Sequence, residues 1–293
     1  MVLCGILALA LIAACSGRAT SDTNTASVTA TVDDTEEGAA GDGNTSRTVE
    51  PVPSAVGSTS TTAGGRANSD STTEEASTKT VDAGSEILPD GSIVCWPGGE
   101  GPFPAVLYNH GGKRAAVGGD LEATCEALAD AGYMARSEKR PESITLTGHL
   151  DDVLQALTAL RARHDVDPDR VGIMGFSRGG LLTLQAALAH PDEVRVAVLL
   201  APAPGNDSLA VTLLDVSALA APVHVYVAQN DLIQADHVQL AHDVESALTA
   251  AGRAVTLTIY GSYGRDGHML FDKVQEPYWN DVLAVIDSEL GGA

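Results

Sequence analysis

A serine with the means to act as a nucleophile stands in the stretch Val171 to Leu181, where a short apolar run leads into Gly175-Phe176-Ser177-Arg178-Gly179 and then into a helix-forming segment, Leu181 to His190. A serine on so sharp a strand-to-helix turn sits in strained backbone, and the positions two before and two after it must be tiny to avoid collision. Gly175 and Gly179 meet that demand. The helix that follows points its free N–H groups at the hydroxyl, so negative charge developing on a substrate oxygen would be stabilised there. The chemistry this predicts is acyl transfer with Ser177 as attacking group.

A serine hydroxyl is a weak nucleophile until a base takes its proton and a third group orients the base. After the β-rich run Val223 to Ala228 comes Gln229-Asn230-Asp231, which places a carboxylate at a strand's carboxyl end. Asp231 is the expected acid; Asp236 and Asp243 are its rivals, but both fall in the following helix. After a second β-rich run ending at Tyr260, a glycine-containing loop delivers His268, the expected base. Of the eight histidines, His149, His164, His190, His237 and His242 read as helix-surface or helix-end residues, and His224 opens a strand. Tyr108-Asn109-His110-Gly111-Gly112 follows another strand, and glycines there let a backbone N–H approach a carbonyl oxygen. Gly112, with Gly111 as its alternative, and the N–H of Arg178 are the expected oxyanion donors, each worth about 3 kcal/mol of barrier. His110 is read as a brace for that loop. No cofactor is needed, and no cluster of His, Cys and carboxylates at ligand spacing suggests a metal.

The elements that must hold these residues alternate. Strands are expected at 105–109, 132–136, 171–176, 194–200, 223–228 and 255–260, and helices at 121–131, 144–164, 181–190, 236–251 and 277–290. Repeated βα units of this kind require a mostly parallel, doubly wound sheet covered by helices on both faces. Only about twenty residues, Ala203 to Pro222, separate two successive strands where a lid would sit, so no large cap domain is expected.

Around this domain, placed at 86–293, lies different material. Residues 16–85 contain no Phe, Trp, Tyr, Ile or Leu and hold eleven acids against four bases, which reads as a solvated tether unable to bury a core. The chain carries a net charge of −22, and after the tether's −7 is removed the domain keeps −15, which argues against nucleic acid as a partner. A basic group at Arg136, Lys139 and Arg140 is read as a solvated loop edge. Residues 1–14 open with an apolar run, Val2 to Ala14, too short to span a bilayer, that ends in small residues before Cys15. This resembles a bacterial lipoprotein signal, although no Lys or Arg precedes the run. The resemblance implies that Cys15 is acylated, leaving an exported domain held at the cell envelope by a lipid anchor only. Ser16 is not the aspartate associated with inner-membrane retention. Cys95 and Cys125 then remain as an even pair in an exported protein, and a disulfide between them is expected.

Asn109-His110-Gly111-Gly112, Gly175-x-Ser177-x-Gly179, Asn230-Asp231 and Gly267-His268 together resemble the α/β-hydrolase superfamily over residues 101–290, and the chain order Ser177, Asp231, His268 is that superfamily's order. Phe103 to Gly111 and Met174 to Gly180 are most similar to its dienelactone hydrolase and prolyl-oligopeptidase branch. Dienelactone hydrolases proper use a cysteine nucleophile, so serine here favours generic ester hydrolysis. Prolyl oligopeptidases add a propeller that residues 16–100 cannot form. The resemblance implies a carboxylic ester hydrolase acting through an acyl-enzyme on small ester substrates. A peptidase or thioesterase of the same fold, and a surface lipoprotein that binds without turnover, are the alternatives.

Overall fold

The protein is described by a computed structural model covering residues 81–232 and 234–291, all within the compact unit 72–293. The signal segment 1–14, Cys15 and the tether up to residue 80 lie outside the described residues. Eight strands form one sheet in the order β1-β2-β4-β3-β5-β6-β7-β8. These are β1 (Gly84–Ile87), β2 (Ile93–Trp96), β3 (Phe103–Asn109), β4 (Met134–Glu138), β5 (Val166–Phe176), β6 (Val196–Leu200), β7 (Val223–Ala228) and β8 (Val255–Tyr260). From β4 to β8 every neighbouring pair is parallel, and β1 and β2 pair antiparallel at one edge.

The near-continuous apolar runs of the central strands follow from burial on both faces. Leu107, Ile173, Leu199 and Val225 point to one face, where α2 (His149–Arg161), α3 (Arg178–Ala189) and α5 (His237–Ala250) supply Leu157, Leu181 and Val244. Val106, Met174, Val198 and Tyr226 point to the other, against α1 (Leu121–Asp130) and α6 (Tyr278–Leu290) with Leu128, Val282 and Ile286. Between β6 and β7 lies only the short helix α4 (Ser208–Leu213), so no large cap covers the carboxyl edge of the sheet.

Three differences from the sequence expectation have local causes. The hairpin β1-β2 was not anticipated. Its turn, Leu88-Pro89-Asp90-Gly91-Ser92, is closed by Leu88 N–H donating to Ser92 O and by Gly91 at φ +85°, and a Pro-Asp-Gly turn between apolar residues was readable. Because β1 starts at Gly84 and Val81 pairs with Gly99, the sheet begins inside the segment read as tether. The helix expected over 144–164 is shorter: residues 144–147 form a loop, with Arg178 Nη2 donating to Ile144 O at 2.9 Å, and α2 starts only after Gly148 at φ +82°. Among the described residues no helix is long and apolar enough to cross a membrane.

Cys95 of β2 and Cys125 of α1 are joined in a disulfide with Cα atoms 5.6 Å apart, both side chains buried. The bridge closes 30 residues and ties the antiparallel edge to its covering helix. Reduction, or the pair Cys95→Ala with Cys125→Ala, is expected to lower unfolding stability by about 3–4 kcal/mol through the freed entropy of the unfolded chain; urea titrations with and without reductant measure it.

Candidate active site

Three strand ends and the segments that leave them build one cavity at the carboxyl edge of the sheet. β5 ends at Phe176, and Ser177 follows at φ +54°, ψ −116°, a conformation a non-glycine residue holds only under strain of about 1–3 kcal/mol. Two backbone bonds enforce it: Ser177 N–H donates to Leu200 O at 2.8 Å, and Ala203 N–H donates to Ser177 O at 2.9 Å. A Cβ on Gly179 would lie 1.9 Å from Asn109 O, and one on Gly175 would lie 2.4 Å from Gly179 O. Helix, elbow and β3 therefore approach as backbone on backbone, which only glycine permits.

Asp231 follows β7, wholly buried. His268 lies in a 3-10 turn, Gly267–Phe271, rather than in an irregular loop. The turn is held by Asp266, whose carboxylate accepts from His268 N–H at 3.1 Å, and by Gly267 N–H donating to Asn230 O at 3.1 Å. Asn230 also fastens the preceding segment, accepting from Tyr263 N–H at 2.8 Å and donating to Tyr263 O at 3.2 Å. Residues 37 apart in sequence thus meet: His268 Nδ1 is 3.0 Å from both carboxylate oxygens of Asp231. The rival carboxylates are occupied elsewhere. Asp236 caps α5 by accepting from Gln239 N–H at 3.0 Å, and Asp243 accepts from Gln239 Nε2 on the exposed face of that helix.

The cavity has a volume of about 200 Å³, and Ser177, His268, Gly112 and Arg178 all line it. The ring of Phe176, next to Ser177, packs on His268 with centroids 4.6 Å apart. Among the described residues the Ser177 hydroxyl has no hydrogen-bond partner, so turning about χ1 toward His268 breaks nothing; such bonds commonly tighten only when substrate arrives. Gly111 N–H is committed to Gly118 O at 2.7 Å, which removes it as a donor. Gly112, at φ +79°, has no acceptor for its N–H among the described residues. Arg178 is the first residue of α3, so its N–H has no partner within the helix. Gly112 and Arg178 both line the cavity beside Ser177.

His110 is buried and acts as the expected brace. Its Nε2 accepts from Arg140 N–H at 3.2 Å, so Nδ1 carries the proton and donates to Gly111 O. Burial, and next the Arg140 guanidinium, push its pKa down to about 3. Arg140 itself corrects the reading of a solvated basic edge: it is buried under the oxyanion loop, while Arg136 lies in β4 and pairs with Glu138 at 2.8 Å. A larger hollow of about 630 Å³ beside these residues is walled by Glu138 and Asp152 and contains neither Ser177 nor His268.

Two histidines read as helix-surface or helix-end residues are buried. His149 opens α2 with its pKa lowered by burial and by Arg140. His237 opens α5 and is part of the site, its ring 4.5 Å from that of His268 and its Nδ1 3.1 Å from Pro202 O. A position signal existed, because a helix that starts six residues after a strand-end carboxylate brings its first turn back to the carboxyl edge. The expectation that no His, Cys and carboxylate residues gather at metal-ligand spacing is corrected as well. Asp231, His237 and His268 offer ligand atoms that all lie within 4.8 Å of one another.

With this geometry in hand, comparison with known proteins gives a consistent picture. A sequence model of the dienelactone hydrolase family matches residues 138–278. The putative hydrolase YtaP of Bacillus subtilis is 34% identical over a match covering 34% of this chain and 43% of that protein. Human dipeptidyl peptidase 8 is 46% identical over 18% of this chain and 6% of its own. The chain therefore spans less than half the length of these curated relatives. Among solved structures, esterase B of Lactobacillus rhamnosis superposes with a TM-score of 0.57 at 17% identity, covering 72% of this chain and 87% of that one. The fold is that of the α/β-hydrolase superfamily. In that fold the carboxyl edge of the sheet carries the chemistry, and the cavity described above lies there.

The neutral state of His110 carries a pH signature. Its imidazole binds a proton near pH 6.5 when unfolded and only near 3 when folded. Over that window the unfolded chain holds one more proton, so this contribution to stability is whole above about pH 6.5 and is lost as pH falls toward 3. His110→Gln is expected to reduce the slope of unfolding free energy against pH by about 1 kcal/mol per pH unit between 6.5 and 4.5. Urea unfolding of both proteins at three pH values reads the difference, since contributions of His149 and His224 remain in both.

Proposed function

We propose that the protein is a serine hydrolase that cleaves carboxylic esters through an acyl-enzyme intermediate. The observation that carries the reading is the His268–Asp231 pair, 3.0 Å apart, opening onto the same cavity as a serine held at positive φ. His268 Nε2 takes the hydroxyl proton as Ser177 Oγ attacks the ester carbonyl. Asp231, accepting at Nδ1–H, holds the ring in the required tautomer and stabilises the imidazolium that forms. The tetrahedral oxyanion rests on the N–H groups of Gly112 and Arg178. His268 returns its proton to the departing alcohol, and water, deprotonated by the same ring, releases the acid.

A cavity of about 200 Å³, with only a six-residue helix between β6 and β7 where a cap would sit, favours small or exposed esters. Its wall combines Phe176, Ala203, Pro204 and Met269 with the charged Lys113 and Asp272. Two similarities support the ester and peptidase readings respectively, esterase B in fold and dipeptidyl peptidase 8 in sequence over a short segment. The absence of a large cap and the exposed cavity keep ester hydrolysis first.

Turnover of p-nitrophenyl esters of graded chain length, beside matched anilide and thioester substrates, tests the reading. Ser177→Ala is expected to abolish both turnover and covalent labelling by a fluorophosphonate, and Asp231→Asn to lower kcat by about 10⁴-fold with labelling much slowed. A wild-type protein that ignores the probe overturns the reading in favour of a binding module, and faster anilide than ester turnover replaces it with a peptidase.

The anchoring of the enzyme at a bacterial cell envelope through Cys15 is part of the same proposal, motivated by the apolar run before that residue. Expressed in a bacterial host from the full sequence, the protein is expected to partition into the detergent phase of a Triton X-114 extract. Cys15→Ala is expected to move it to the aqueous phase with its specific activity intact; equal partitioning of both proteins overturns the anchor.

A further inference from the structure

We propose that Asp272 is a positioning residue that ties the turn carrying His268 to the loop carrying the Gly112 N–H, so that base and oxyanion donor keep a set separation around Ser177. The effect on turnover rests on the serine-hydrolase reading; the tie itself does not.

Asp272 follows the 3-10 turn Gly267–Phe271 and closes it, its N–H donating to Met269 O at 3.4 Å. Its side chain leaves the turn: Oδ1 accepts from Gly119 N–H at 3.0 Å, between residues 153 apart in sequence. Gly119 follows Gly118, whose carbonyl takes the Gly111 N–H at 2.7 Å, and Gly112 comes next in the chain. One carboxylate therefore connects the turn of the base to the residue immediately before the free donor. The contact is backed by rigid elements. Gly119 is at φ +90°, and a Cβ on it would lie 2.0 Å from the Tyr108 hydroxyl and 3.4 Å from the Phe176 ring. Tyr108 is buried in β3 and Phe176 ends its neighbour β5, so this segment rests on two central strands. By contrast residues 113–117 are exposed throughout, with Arg114 N–H donating to Ser143 O and Ala116 N–H to Lys113 O. The return of the loop is where it is anchored, and Asp272 holds it there.

Base and donor serve one transition state, His268 by taking the hydroxyl proton and the Gly112 N–H by meeting the negative charge that develops on the carbonyl oxygen. A donor out of place by a fraction of an ångström costs most where that charge is largest, and little in holding the ground-state ester. Loss of the Asp272 bond therefore falls on kcat. The carboxylate also stands in the cavity wall, and a residue that merely touched the substrate there would act on KM instead.

Asp272→Ala and Asp272→Asn in the full-length protein separate the two roles, because the amide oxygen of Asn can still accept from Gly119 N–H while the charge is gone. With p-nitrophenyl acetate, Asp272→Ala is expected to lower kcat by about tenfold or more with KM changed by less than about threefold, and Asp272→Asn to return kcat to within about threefold of the wild type. Asp272→Ser, too short to reach Gly119, is expected to behave as Asp272→Ala does and replaces it if that variant fails to fold. Backbone hydrogen exchange over residues 111–119, followed by mass spectrometry, is expected to be about tenfold faster in Asp272→Ala than in the wild type or Asp272→Asn, with exchange of β5 and α3 unchanged. The inference is overturned if Asp272→Ala keeps the wild-type kcat, if Asp272→Asn loses as much as Asp272→Ala, if the loss falls on KM alone, or if exchange over 111–119 does not change. A wild type that hydrolyses no ester removes the hydrolase reading and the catalytic role with it; the tie is then upheld by faster exchange in Asp272→Ala and overturned by equal exchange.

Discussion

The close approach of three backbones at the elbow governs the rest of the site. Ser177 can hold φ +54° because the end of β6 and the segment after it grip it on both sides, through Leu200 O and Ala203 N–H. The start of α3 can come down onto β3 because Gly175 and Gly179 bring no side chains to the contact. That approach sets the distance between the first turn of α3 and the Asn109 to Gly112 segment that carries the Gly112 N–H. It also sets which residues can surround Ser177: the loop after β3 must be glycine-rich where it passes the elbow, since a Cβ on Gly111 would already sit 3.0 Å from that of Ser177. The strain is stored in one residue and opposed by the packing of the central strands, which are buried on both faces.

Electrostatics around the elbow are arranged by burial as much as by charge. Arg140 is buried beneath the Asn109 to Gly112 loop, and the side chain of Arg178 reaches across to Gly112 O and Ile144 O. Two fixed cations so near would penalise any further positive charge, and the neighbouring His110 and His149 are both held toward their neutral forms, burial being the larger cause in each. In the neutral state His110 can accept from one strand end and donate to another, which a doubly protonated ring could not. The loop that offers Gly112 N–H is therefore braced by a hydrogen-bond relay whose polarity is set by the local field.

How much of this was legible in the chain depended on whether the signal was local. Glycine spacing, apolar runs and strand-end positions are properties of a few adjacent residues, and they placed Ser177 between a strand and a helix, Asp231 after β7 and His268 after β8, with β7 and β8 at their observed limits. The turn at Asp90-Gly91 was equally local and was overlooked. His237, Arg140 and His149 were misread for a different reason: each is a polar residue in a segment of ordinary amphipathic character, and only the packing of α5, β4 and α2 against the sheet decides that it faces inward. The sequence put Gly112 ahead of Gly111 without a reason that separates them; in the structure the difference is Gly118 O, seven residues along the chain, which takes the Gly111 N–H.

The presence of two imidazoles around one buried carboxylate bears on how the base is held. Asp231 orients His268 only while Nδ1 carries a proton, and the same carboxylate lies 3.9 Å from His237 Nε2. The His237 ring packs on His268 at 4.5 Å between centroids, and Phe176 packs on it at 4.6 Å, so His268 is held by two ring contacts besides its bond to Asp231. Asp231, buried and approached by both imidazoles, is thereby a shared anchor for two rings, so the position of His268 depends on the packing of α5 as well as on its own turn.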